Sequence, residues 1–215
     1  MKRLFLILIS LFFVNCTSTD LVDYWKNPDI EYYEPQKVLI IGLTSNKEAR
    51  KKYETQLKQE FELRGVQAIA SLDVSYPTFK TKKVTKVELN VLEKKLLEEG
   101  FDAIILSKVI GVQDKIAYKN TYHNRKETYR GFAEEYVKYQ DIYYNPEYYD
   151  EYTIYNSETS MYCICPTKER ELLWKGYINI VDPVSIEKSV NDYVKLTIAI
   201  LEEEKLLKAP TNIIQ

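Results

Sequence analysis

With one histidine, three cysteines and six glycines in 215 residues, the chain lacks the residues on which several kinds of chemistry depend. A serine or cysteine nucleophile working near neutral pH usually needs a histidine base. The single histidine, His123, lies in Asn120-Thr121-Tyr122-His123-Asn124-Arg125 with no nucleophile motif beside it. There is no GxGxxG run and no P-loop, the two glycine-built phosphate cradles that a sequence reveals most readily. The acidic residues show no EF-hand spacing. Cys163 and Cys165 form a Cys-x-Cys pair without a second cluster to complete a metal site, so they read as small side chains in a strand or as a local disulfide. No catalytic residue, metal or cofactor is therefore expected. Long runs of like charge are also missing, and a net charge of −2 argues against nucleic acid or an anionic membrane surface as partner. No apolar stretch reaches the ~20 residues that a transmembrane helix requires.

What is present begins at the amino terminus. Lys2 and Arg3 precede an apolar run, Leu4 to Val14, that stops at Asn15-Cys16. A basic start, a short greasy segment and a cysteine at the cleavage point form the layout of a bacterial lipoprotein signal peptide. Phe13-Val14-Asn15-Cys16 resembles a lipobox, with Asn15 standing where Gly, Ala or Ser is usual. The expectation is that residues 1–15 are removed and that Cys16 carries the lipid, palmitate-type acyl chains holding the protein to the membrane. An ordinary secretory signal would release it instead. Thr17 occupies the place where Asp would signal inner-membrane retention, so the expected address is the outer membrane, facing the periplasm or the cell surface.

Residues 16–36 read as a tether, 37–207 as a single domain and 208–215 as a tail. Val38-Leu39-Ile40-Ile41 is a continuous apolar run, as in a strand buried on both faces. A helix follows with Ala49, Tyr53, Leu57 and Phe61 on one stripe, and Gly65 ends it. Val66 to Leu72 is a second strand. Thr85 and Glu88 have capping-box spacing before a helix with Val87, Val91, Leu92 and Leu96, which Gly100 ends. Phe101 to Ile110 is a third strand. Tyr152 to Cys163 and Glu171 to Ile180 form a hairpin added to the sheet. A last helix begins at Asp182-Pro183 and carries Ile186, Val190, Tyr193, Val194, Thr197 and Leu201. The fold class is α/β: a three-layer βαβαβ unit, a hairpin and a C-terminal helix.

The hairpin carries a resemblance. Ser157-Glu158-Thr159-Ser160-Met161-Tyr162, with Thr167-Lys168-Glu169-Arg170-Glu171-Leu172-Leu173-Trp174-Lys175-Gly176, resembles a strand-turn-strand of uncharacterised bacterial envelope lipoproteins. The opening strand and its Gly-Leu-Thr turn resemble the start of the same domain. The architecture is similar to the TolB amino-terminal domain and to the periplasmic domains of curli-secretion and penicillin-binding-protein-activator lipoproteins. That resemblance implies a binding or assembly role without catalysis, and an envelope protein as partner.

Two places are candidates for recognition. The insert at 111–151 is rich in tyrosine, including Tyr136, Tyr139, Tyr143, Tyr144, Tyr148 and Tyr149. Tyrosine gives a large amphipathic contact area at modest entropic cost, suited to a protein, a glycan or a small ligand. The same rings could instead fold back as an extended hairpin or a lid. The turn Gly42-Leu43-Thr44-Ser45-Asn46 lies where α/β sheets bind ligands, although Thr44, Ser45 or Asn46 acting simply as helix cap is the stronger expectation. Trp174 is expected in the core. A hydrolase or transferase would have to use His123 or a carboxylate pair.

Overall fold

The computed structural model describes residues 18–74, 85–118, 149–164 and 171–210. Nine elements follow in order: β1 (Thr19–Lys26), β2 (Lys37–Leu43), α1 (Lys47–Glu62), β3 (Gln67–Ala70), α2 (Lys86–Glu98), β4 (Ala103–Tyr118), β5 (Tyr149–Cys163), β6 (Glu171–Val181) and α3 (Ile186–Glu203). The six strands form one mixed sheet in the order β1-β6-β5-β4-β2-β3. β2 pairs in parallel with β3 and β4, and the pairs from β4 through β5 and β6 to β1 are antiparallel. The α/β class, the hairpin and the C-terminal helix all stand as the sequence implies.

Strand alternation divides the core in two. Val38, Ile40, Ile105, Met161, Trp174 and Ile178 face α1 and α3, which bring Leu57, Phe61, Val194 and Leu201. Leu39 and Ile41 point the other way, to Leu92 and Leu96 of α2. This is why β2 has no polar position between Val38 and Ile41: both of its faces are covered. Gly65 and Gly100 end their helices at φ +78 and +81, a left-handed conformation that costs glycine little.

Three boundaries and one helix face differ from the sequence reading. Residues 16–36 are not all tether, because Thr19–Lys26 forms β1 and pairs with β6. Its composition gives no sustained alternation, partly because the register slips between Leu21 and Asp23; pairing with an existing edge makes the strand. The insert 111–151 is strand at both ends, since β4 and β5 stay paired out to Tyr118 opposite Tyr149. α3 starts later than Pro183: Asp182 turns the chain at φ +45 and the Ser185 hydroxyl accepts from the Lys188 N–H at 3.1 Å. On α2, Val87 and Val91 are exposed and only Leu92 and Leu96 are buried. Successive helical residues lie about 100° apart, so a narrow seam on the sheet reaches one flank of the stripe and not the other.

Candidate functional site

A cavity of about 450 Å³ opens at the carboxyl end of β2, beside the point where β4 runs on past it; the carboxyl end of a parallel strand is where open α/β sheets bind ligands. Its walls come from Gly42 and Leu43 at the end of β2 and Thr44 after it, Ser107 to Val109 of β4, and Pro183 to Ile186 at the start of α3. The turn 42–46 does both things considered for it. Asn46 caps α1, its side chain accepting from the Ala49 N–H at 3.0 Å, and the same turn forms part of the cavity wall.

Hydroxyl groups make up its inner end. Tyr53 of α1 and Tyr193 of α3 meet edge-to-face, with centroids 5.8 Å apart. The Tyr53 hydroxyl bonds the Ser107 hydroxyl, Ser107 bonds Thr159 at 2.5 Å, and Thr159 bonds the Tyr193 hydroxyl at 2.8 Å. The Ser157 hydroxyl donates to the Ile178 carbonyl at 2.5 Å and lies 3.1 Å from the Tyr193 hydroxyl. Burial pushes both phenols above the ordinary tyrosine range; for Tyr193 the hydroxyls of Ser157, Thr159 and Ser107 offset part of the rise. Both tyrosines are therefore neutral hydrogen-bonding groups at physiological pH. Ser189, only 6% exposed, lines the same cavity. Its hydroxyl has no hydrogen-bond partner among the described residues.

Beside the cavity lies a fully buried carboxylate. Glu54 accepts from the Gly42 N–H at 2.9 Å, Arg50 Nε at 2.9 Å, the Ser71 hydroxyl at 2.8 Å and the Leu72 N–H at 3.0 Å. It thus ties the end of β2 to the turn after β3, and holds Arg50 at the cavity wall. Lys108 is also paired, to Glu158 at 2.9 Å, and Lys175 meets the same oxygen at 3.1 Å. Burial alone would raise the Glu158 carboxyl, but the two lysines hold it below its ordinary value.

No family model matches this chain. No curated protein matches it either. Among solved structures, the PelC dodecamer from Paraburkholderia phytofirmans is similar over 88% of this chain and 99% of that one, at 7% identity and a TM-score of 0.45. Lipoprotein GNA1162 from Neisseria meningitidis is similar over 79% of this chain and 99% of that one, at 13% identity and a TM-score of 0.42. A minor lipoprotein from Acinetobacter baumannii covers 81% of this chain and 98% of its own, at 9% identity and a TM-score of 0.30. At these scores no function transfers.

Of the residues singled out from sequence, Cys16, His123, Tyr136, Tyr139, Tyr143, Tyr144 and Tyr148 lie outside the described residues. Tyr149 pairs by its backbone with Tyr118, at the far end of the β4–β5 ribbon. Cys163 is buried and disulfide-bonded, and Cys165 lies outside. Trp174 is fully buried, its ring lying over Gly176 so closely that a Cβ there would meet Cη2 at 2.3 Å. Ser107, Ser157, Ser189 and Glu54 were not singled out. The available signals were faint: a serine interrupting the apolar strand of 103–110, and Arg50 placed four residues before a glutamate that adjoins the core stripe.

Proposed function

We propose that the chain is an envelope lipoprotein, held at the outer membrane through Cys16, whose α/β domain binds a small ligand without catalysis. The cavity between β2, β4 and the start of α3 carries this reading: its volume lies within the range of ~300–1,000 Å³ usual for ligand sites, and a few hydroxyls, with Arg50 and Lys108, converge on a largely apolar wall. Anchor and address rest on Lys2, Arg3, the apolar run and Cys16. The likeness to TolB-type and curli-secretion domains, drawn from the hairpin residues, agrees with a binding role.

Titration with anilinonaphthalene sulfonate, an anionic aromatic probe, tests the cavity. The folded protein should enhance its fluorescence saturably, and Val109→Trp, which places a large ring in the wall, should abolish the enhancement while leaving the melting temperature near its original value. Equal enhancement by both proteins would count against the reading.

A second reading keeps the Tyr-rich insert as a surface for an envelope protein. It is favoured by the ribbon, in which β4 and β5 stay paired beyond Ile154 and Val181, the last β5–β6 pair. Pull-down from solubilised envelopes with and without 119–148 should then return different partners.

A further inference from the structure

The cavity and the expected lipid anchor lie at the same pole of the sheet. Ser18, two residues after Cys16, is pinned there from three directions. Its N–H and hydroxyl donate to the Asp192 carboxylate at 3.1 and 3.2 Å, and its carbonyl accepts from the Val181 N–H at 2.8 Å. Val181 follows Ile180 and Asp192 lies one helical turn from Ser189, and both Ile180 and Ser189 line the cavity. Two residues of extended chain reach about 7 Å. Polar head groups occupy a layer only about 5–8 Å deep on each side of the hydrocarbon. A lipid on Cys16 therefore leaves little tether, and keeps Ser18 and the end of β6 close to the bilayer.

The surface at that pole suits such a position. Val184, on the rim, is 84% exposed, Leu43 and Val109 of the same cavity wall are exposed, and Ile110 and Val112 are exposed farther along β4. Apolar residues gathered at one end of a domain mark a contact with protein or membrane. Donors lie close to these apolar groups: the first turns of α1 and α3 leave N–H groups without intrahelical partners, and the buried Ser189 has a hydroxyl with no partner among the described residues. Among the described residues, no carboxylate lines the cavity. Arg50 and Lys108 are already paired to Glu54 and Glu158, so the wall offers hydrogen-bond donors more than net charge. The complementary molecule has an apolar chain and a head bearing acceptor oxygens.

We propose that the cavity takes an acyl chain of a membrane glycerophospholipid, whose ester and phosphate oxygens face the N-termini of α1 and α3. This rests on the lipoprotein reading, which brings the rim to the bilayer. The anchor then presents the cavity to its ligand, and lipid enters from the membrane without crossing water.

The test uses the full-length, membrane-processed protein in vesicles of phosphatidylethanolamine and phosphatidylglycerol doped with a phosphatidylglycerol carrying a diazirine in its acyl chain. After illumination, cross-links should map to peptides containing Leu43, Val109 or Val190. They should fall about tenfold, a change of ~1.4 kcal/mol in affinity, in Val109→Trp and in the rim variant Val184→Asp. Val22→Trp, an exposed change away from the cavity, should leave the yield unchanged. Near-UV circular dichroism identifies any variant that has lost its packing, and Val184→Asp, on an exposed side chain, keeps the test decisive if Val109→Trp has. Cross-links confined to the outer surface, or a yield indifferent to both cavity variants, would overturn the proposal. The intact mass of the amino-terminal peptide reports separately on Cys16. A lipidated chain with no cavity cross-link defeats the proposal alone, whereas cavity cross-links on a chain without lipid defeat the anchor reading and leave the ligand class standing.

Discussion

Trp174 and Glu54 show how differently two buried residues hold one fold. Trp174 contributes area: it is fully buried between the sheet and its helices, and Trp174→Ala should cost about 3–5 kcal/mol in transfer and cavity terms. Thermal and urea melts measure this, and an unchanged midpoint would place the ring in solvent. Glu54 contributes a set of hydrogen bonds from β2, α1 and the turn after β3. Glu54→Gln keeps the shape but removes the charge facing Arg50, and breaking a buried pair by altering one partner costs about 3–5 kcal/mol. Chemical denaturation should show that loss, with the cavity probe weakened in parallel because Gly42 and Arg50 are both held by Glu54. A loss below about 1 kcal/mol would mean that Arg50 finds its compensation elsewhere. Trp174 was legible as core because alternation in a strand reveals its inner face. Glu54 was not, because a glutamate beside a helical stripe reads as solvated until its acceptors are seen to be filled.

The elements that were legible are those whose signals are local. The capping box of α2 has both of its bonds, Thr85 N–H to Glu88 at 2.8 Å and Glu88 N–H to the Thr85 hydroxyl at 3.3 Å. Spacing alone specifies such a pair. β1 is the opposite case. It exists because β6 offers an unpaired edge, and its other ties are distant in sequence: Asn27 N–H to the Leu173 carbonyl at 2.9 Å, Lys26 to the Glu204 carbonyl at 2.6 Å, and the Tyr33 hydroxyl to the Asp102 carbonyl at 2.9 Å. A truncated chain beginning at Lys37, the boundary read from sequence, should therefore melt lower and self-associate, since β6 becomes a bare edge strand. Size-exclusion chromatography and a thermal melt would show it; a monomeric truncation with an unshifted melt would return 19–36 to the role of tether.

Across the whole molecule, α1 and α3 meet over the sheet through Tyr53 and Tyr193, and this makes stability depend on alkaline pH. Burial raises both phenols above their unfolded values. The stability they contribute is present in full below about pH 10, the unfolded tyrosine value, and is lost as pH rises from there towards the raised folded values, because the unfolded chain releases protons first. Urea midpoints measured across that range should fall, and Tyr53→Phe should flatten the fall while lowering stability at neutral pH. A midpoint independent of pH up to about 11 would show that neither phenol is protected. No helix among the described residues is long and apolar enough to cross a membrane.

The sequence by itself determined the periodic elements, their stops and the α/β class, because hydrophobic period, caps and glycines act over a few residues. It also carries, ahead of the domain, the basic start, apolar run and cysteine on which the lipoprotein proposal rests. Only the tertiary structure decided that the segment after that cysteine joins the sheet, and that Ser107, Ser157, Ser189, Tyr53 and Tyr193 converge on one cavity. Those residues come from four different elements, and each alone reads as an ordinary core or surface position. What brings them together is strand order: β2 and β4 become neighbours only after the chain has gone out to β3 and back, and the return of β6 sets the start of α3 over the end of β2 and the adjoining stretch of β4.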